Sequence, residues 1–307
     1  MTPIQEILWE VEWAYAGNPY YVPGHAIYTA LARRLPDDVA QDLYVSPGLF
    51  VPGEYGSFPP THSRSGGVPY LGTGLRTVAA YDDLFLFRDS SQRWLATTRP
   101  RDAHNTHTID QYGDRLSYAG TRVFGKQPDK RASKRTMSWY IYAYCDFDGQ
   151  GQLPLAEDML DGLQLGGGRN YGFGEVTCVE TRTVDLDDLS YARLEAAESY
   201  QVELHTPYVL ESEYPGAHDN RIPWWWGDTD LREREVLLHK GSDTYRLRTI
   251  DHGQIVEYTG SDPIGTAKRG VLGVGTHKQY GFGQFRVRPA SDDRVPERQA
   301  GHTGGSA

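Results

Sequence analysis

Lysine, cysteine and long apolar runs are what this chain has least of. Lysine stands only at positions 126, 130, 134, 240, 268 and 278, so arginine carries most of the positive charge. Basic residues number 31 against 41 acidic ones, for a net charge of −10. That balance argues against binding of nucleic acid through a broadly basic surface. Any contact with phosphates must rest on local clusters, stacking and hydrogen bonds, a mode that tolerates salt. The two cysteines, Cys145 and Cys178, each sit in an apolar, strand-like run without His or Cys at ligand spacing. They read as buried free thiols in a reducing compartment rather than as zinc ligands. No apolar run approaches the roughly 20 residues that span a bilayer. The opening MTPIQEILWEVEW has acids where a secretory leader carries lysines, and no apolar core behind them. The expectation is a cytoplasmic protein without membrane contact.

Apolar material is nonetheless ample: 38% of the 307 residues are hydrophobic, and there are 21 Tyr and 7 Trp. One large domain or two smaller ones can be built from it. A repeat decides for two. LGGGRNYGFGEV runs from Leu165 to Val176, and VGTHKQYGFGQFRV from Val274 to Val287. Each copy has small residues, a polar or basic residue, Tyr-Gly-Phe-Gly, and then a strand-like run.

The expected organisation is α+β, with a first half over 1–184, a second over 198–290, and a disordered tail over 291–307. An acidic link, Asp185 to Asp188, joins the halves. The first half reads as βαββαβ. Gln5 to Ala14 alternates (Ile7, Trp9, Val11, Trp13) as a half-buried strand does. His25 to Leu35 has helical spacing, with Ile27, Leu31 and Leu35 on one face. Pro36 to Gly74 reads as a long insertion, Leu75 to Phe87 as a strand, and Arg88 to Met137 as a polar excursion. Trp139 to Phe147 is a strand, Leu155 to Leu163 a short helix, and Glu175 to Thr181 a strand. In the second half, Tyr200 to Leu204 is a strand, Pro263 to Gly270 a helix or turn, and Gln284 to Arg288 a strand. Trp224, Trp225 and Trp226 in a row cannot all face one core.

The glycine loops are candidate binding elements. Small residues allow positive φ, and successive turn amides can cradle an anion. In the first loop the candidates are Gly166, Gly167, Gly168, Arg169, Asn170, Tyr171, Gly172, Phe173 and Gly174. In the second they are Gly273, Gly275, His277, Lys278, Gln279, Tyr280, Gly281, Phe282 and Gly283. Arg169, Asn170, His277, Lys278 and Gln279 can hydrogen-bond phosphate, ribose or base. Tyr171 and Tyr280 can stack on a base. Neither loop is a P-loop, which needs Gly-Lys-Ser/Thr opening a helix. Neither is a dinucleotide loop, since the helix precedes the glycines and the strand follows.

That order resembles the CRISPR-associated RAMP superfamily of RNA-binding proteins. The resemblance rests on the two loops, on LAEDMLDGL before the first, and on YQVELHTP opening the second half. It implies two ferredoxin-like halves whose glycine loops contact guide RNA. Within the superfamily, two such loops are most similar to the non-catalytic subunit that caps the 5′ repeat-derived handle of the guide. The partners implied are the guide RNA, the backbone RAMP subunit, and a nuclease or large subunit; no cofactor or metal is implied. The other branch resembled is the repeat-processing endoribonuclease, in which a His near the first helix acts as general base on a ribose 2′-OH. His25 stands at that place, with Tyr28 or Tyr21 as its candidate partner. Lys126, Lys130, Arg131, Lys134 and Arg135 form the one dense basic cluster, read as a strip on the guide phosphates or as a solvated loop. His62, His104 and His107 read as ordinary polar residues and weak catalytic candidates.

Overall fold

The computed structural model describes residues 1–18, 20–55, 74–89, 107–112, 115–120, 122–123, 137–148, 153–227, 231–240 and 243–292. It is a mixed α/β molecule with mostly antiparallel sheets and few helices.

Strand β1 (Pro3–Val11) is the spine of the first half. Around it come β2 (Tyr15–Ala16), β3 (Tyr21–Val22), helices α1 (Gly24–Ala32) and α2 (Asp37–Gln41), β4 (Leu43–Val45) and β5 (Gly48–Tyr55). There follow β6 (His107–Tyr112), β7 (Arg115–Gly120), β8 (Arg122–Val123), β9 (Met137–Phe147), α3 (Glu157–Leu160), β10 (Leu163–Gln164) and β11 (Glu175–Asp185). The large sheet runs β10-β11-β1-β9-β5-β3, with β4 also on β9. Helix α1 lies in the connection from β1 to β5, and α3 in that from β9 to β11. The β1–β11 register slips by a bulge between Leu8 and Trp9.

The alternation in β1 predicts one buried face, yet both are covered. Ile7, Trp9 and Val11 pack with Ile27 and Leu31 of α1. On the other face Leu8 packs with Val51, Phe87, Tyr140 and Tyr142. The polar residues between them are therefore buried and hydrogen-bonded, as buried polar groups must be. Gln5 Nε2 donates to the Leu155 carbonyl at 3.1 Å, and its Oε1 accepts from the Leu155 amide at 2.7 Å. Glu6 accepts from the Tyr142 hydroxyl and from Arg182, both at 2.7 Å.

Three expectations are corrected here. The segment 36–74 is not wholly an insertion, because α2, β4 and β5 lie in it. Pro52 and Gly53 read as breakers, but β5 tolerates them through a register shift between Pro52 and Tyr55. Leu75 to Phe87 is not a strand: residues 75–79 have no regular structure, and Tyr81–Phe85 is a 3₁₀ helix continued by a helical turn over 86–89. The Asp83 carboxylate starts it by accepting from the amides of Ala79 and Ala80 at 3.0 and 2.8 Å. The helix expected over Leu155 to Leu163 is only α3, since the chain returns to the sheet edge at β10. The tail 293–307 lies outside the described residues.

The second half has helix α4 (Ala192–Glu195), strands β12 (Tyr200–Leu204), β13 (Tyr208–Ser212), β14 (Glu233–Lys240), β15 (Asp243–Ile250) and β16 (Ile255–Glu257), helix α5 (Pro263–Leu272) and β17 (Phe285–Pro289). Asp262 caps α5 by accepting from the Gly265 amide at 2.8 Å. One sheet runs β16-β12-β17 and the other β13-β15-β14, all antiparallel. Between β12 and β16 the described residues hold no helix; the β13-β15-β14 sheet occupies that connection. Ile4, Tyr81 and Phe85 join the core built on Val202, Leu204, Phe285 and Val287, so the first half's chain is stitched into the second. The tryptophan run divides as its sequence requires. Trp226 is buried against Tyr208, Trp225 packs on Phe285, and Trp224 is 77% exposed.

Candidate functional site

The two glycine loops share one backbone conformation. Gly166, Gly168, Gly172 and Gly174 have φ of 85°, 67°, 79° and 72°; Gly275, His277, Gly281 and Gly283 have 82°, 65°, 79° and 72°. Each loop carries a single 3₁₀ turn, Arg169–Tyr171 in one and Lys278–Tyr280 in the other. Each is closed by one amide, Leu165 to the Gly174 carbonyl at 2.9 Å and Val274 to that of Gly283 at 3.1 Å. The last glycine then donates to the chain just past the first strand of its half. Gly174 reaches the Ala14 carbonyl at 3.1 Å and Gly283 that of Pro207 at 2.9 Å. Only glycine fits there, because a Cβ would lie 1.8 Å from the Leu165 carbonyl oxygen or 2.0 Å from that of Val274.

Their surroundings differ. In the first loop Gly167, Asn170 and Tyr171 are exposed, Tyr171 by 77%. In the second, Tyr280 and Phe282 are 6% and 7% exposed. Tyr280 meets Tyr28 of α1 edge-on at 4.9 Å, and Lys278 lies over the Tyr44 ring at 4.4 Å. A Cβ on Gly24 would come within 2.2 Å of the Tyr280 carbonyl oxygen. The second loop is thus the fastener between α1, β4 and the second half. Its Tyr280, expected to stack on a base, is committed to packing, whereas Tyr171 is exposed. His277 accompanies it: Nε2 is 2.7 Å from Ser212 Oγ, and burial pulls its pKa down to about 4, so the ring is neutral.

Both loops border one groove of about 1260 Å³. The first loop supplies Gly166, Gly167 and Arg169, the second Tyr280, Gly281 and Phe282. One face of α1 adds His25, Thr29 and Arg33, spaced four apart as helical neighbours are. Among the described residues, the charged side chains on the wall are Arg33, Arg88, Arg169 and Arg234 against Glu235, so an acidic chain has built a groove with a basic balance. Arg169 is held below its ordinary pKa by burial and by the Arg33 charge. Neither has an ion-pair partner among the described residues. Arg34, next in sequence, is spent on the carbonyls of Asp158, Met159 and Gly162. Two neighbouring guanidiniums without a carboxylate make a local demand for an anion.

His25 also lines the groove, its pKa pulled to about 4 by burial and then by His239, whose ring centroid is 6.2 Å away. Tyr28 is not its partner, since the Tyr28 hydroxyl donates to the Ala40 carbonyl at 2.9 Å. Tyr21 and His239 are on the groove wall with His25. Lys126, Lys130, Arg131, Lys134 and Arg135 lie outside the described residues, as do His62 and His104. Among the described residues no three His, Cys, Asp or Glu converge as a metal site, and no helix is long and apolar enough to cross a membrane. Cys145 and Cys178 are buried free thiols, that of Cys178 pushed up to about 11 by burial. Arg33, Arg88, Arg234, His205 and His239 were not visible as site residues in the sequence. Only Arg33 had a signal, its place on the His25–Thr29 face. No family model matches the chain, and no curated protein matches it.

Proposed function

We propose that the chain is a non-catalytic RNA-binding subunit of a CRISPR effector, holding the 5′ repeat-derived handle of the guide at one end of the complex. The observation that carries this reading is the basic, tyrosine-rich groove where both glycine loops and α1 meet. Arg33 and Arg169 suit backbone phosphates, and Tyr171 suits an unstacked base; single-stranded RNA is recognised through such contacts. The strand order supports the likeness to RAMP proteins. β11-β1-β9-β5, with helices in two connections, is the order of a ferredoxin-like βαββαβ unit. β17-β12-β16 with α5 follows that order in part, with no counterpart to the second strand and first helix among the described residues, and this partial match supports the reading. Trp224, exposed beside Ile222, offers a contact face for the backbone RAMP subunit or the nuclease or large subunit.

The runner-up, a metal-independent endoribonuclease, draws on His25 and His239 across the groove. A neutral His25 would take the 2′-OH proton, and a second group would protonate the leaving 5′ oxygen. One experiment separates the readings. Purified protein is incubated with repeat-containing and scrambled RNA in chelator, and both retention and cleavage are followed. Preferential retention of uncleaved repeat RNA is expected. Cleavage abolished by His25→Ala would install the nuclease instead, and equal binding of both RNAs would remove the guide-specific reading.

A further inference from the structure

One stretch of the groove wall belongs to neither glycine loop and has hydrogen-bonding capacity left over. Arg88, at the end of the helical turn over 86–89, donates through Nη2 to the His205 carbonyl at 3.2 Å. Its Nε is sealed from water with no partner among the described residues, and its Nη1 has no hydrogen bond among them. Burial pulls the guanidinium down to about 10, against the opposing pull of Glu203 and Asp89. Beside it the His205 ring is kept neutral by burial and by the Arg88 and Arg286 charges, and meets Phe85 edge-on at 5.1 Å. Gln284 is buried next to them, its backbone carbonyl accepting from the His205 amide at 2.9 Å. Neither the Gln284 side-chain amide nor the His205 ring has a hydrogen bond among the described residues. All three side chains line the groove. An under-satisfied buried guanidinium is costly, and that cost is recovered where a ligand brings acceptors.

We infer that this wall reads one unstacked base of the bound RNA, and that the base is guanine. The inference rests on the RNA-binding reading above. An arginine fork matches the paired acceptors O6 and N7 of guanine. Adenine sets a donor against the fork and uracil has no two adjacent acceptors; cytosine pairs O2 with N3 but has no N7, the atom that the 7-deazaguanine strand below removes. The guanine edge is neutral and needs no counter-charge at a wall where Asp89 and Glu203 already pair with Arg286 and Arg288. His205 and Gln284 supply further donors and acceptors at the rim of the base, and Phe85 an apolar contact.

The test is fluorescence anisotropy with the full chain and single-stranded RNAs of equal length: alternating U-G, alternating U-A and all-U. The U-G strand should bind about 10-fold more tightly than the other two, as one bidentate base contact allows. Replacing guanine by 7-deazaguanine, which lacks N7, should remove most of that preference in the unaltered protein. Arg88→Lys, which keeps the charge and loses the fork, should equalise the affinities for the three strands. Equal affinity for U-G and U-A, or a preference untouched by 7-deazaguanine, would overturn the inference and leave the RNA-binding reading standing. Failure of every strand to bind would remove both.

Discussion

His277 is the only non-glycine residue at positive φ among the described residues, at the position where the first loop has Gly168. It holds that backbone because its ring is used: Nε2 meets Ser212 and the face stacks on Tyr280. Burial lowers its pKa from the ordinary 6.5 to about 4. The unfolded chain therefore takes up the proton first. The stability tied to a neutral His277 is whole above pH 6.5 and is lost as pH falls toward 4. Asn tolerates the same backbone without a titrating ring. His277→Asn is expected to flatten the acid limb of a urea-stability profile between these values. A profile parallel to that of the unaltered protein would show that the imidazole does not sense folding.

At the scale of the element, the loops are one device used twice, and their glycines are not equivalent. Gly172 has φ of 79° and open space where a Cβ would stand, whereas Gly174 would drive a Cβ into the Leu165 carbonyl. Gly172→Ala should cost about 1 kcal/mol, the price of a left-handed alanine. Gly174→Ala adds a backbone clash, for a total of about 3 kcal/mol. Urea denaturation of the two variants checks the ranking, and equal losses would contradict it. The repeat made this shared backbone legible, since glycine spacing reports φ directly. It could not report what lies against the loop, so Tyr171 and Tyr280 looked alike although one is exposed and the other buried. Strands β1 and β9 were legible because their apolar patterns are long, and β12 because Tyr200, Val202 and Leu204 alternate strictly with polar residues. β5 was hidden by Pro52 and Gly53. The helix at Tyr81–Phe85 was hidden because Tyr81, Leu84 and Phe85 have helical spacing over too short a run.

For the whole molecule, the central contrast is between a chain of net charge −10 and a groove that, among the described residues, is lined by four arginines and one glutamate. The groove draws Arg33, Arg88, Arg169, Arg234 and His205 from five separate segments, so no local sequence window contains it. This arrangement predicts RNA binding with a shallow salt dependence, set by a few phosphate contacts instead of a general field. For single strands each contact contributes a slope of about −0.7 in log affinity against log salt. The most direct measurement is guide-RNA affinity across a salt series for the unaltered protein and for Arg33→Ala/Arg169→Ala. The account predicts weaker binding by the double variant, with a slope shallower by about 1.4 for two lost phosphates and an unchanged melting temperature. Superimposable salt curves for the two proteins would contradict it.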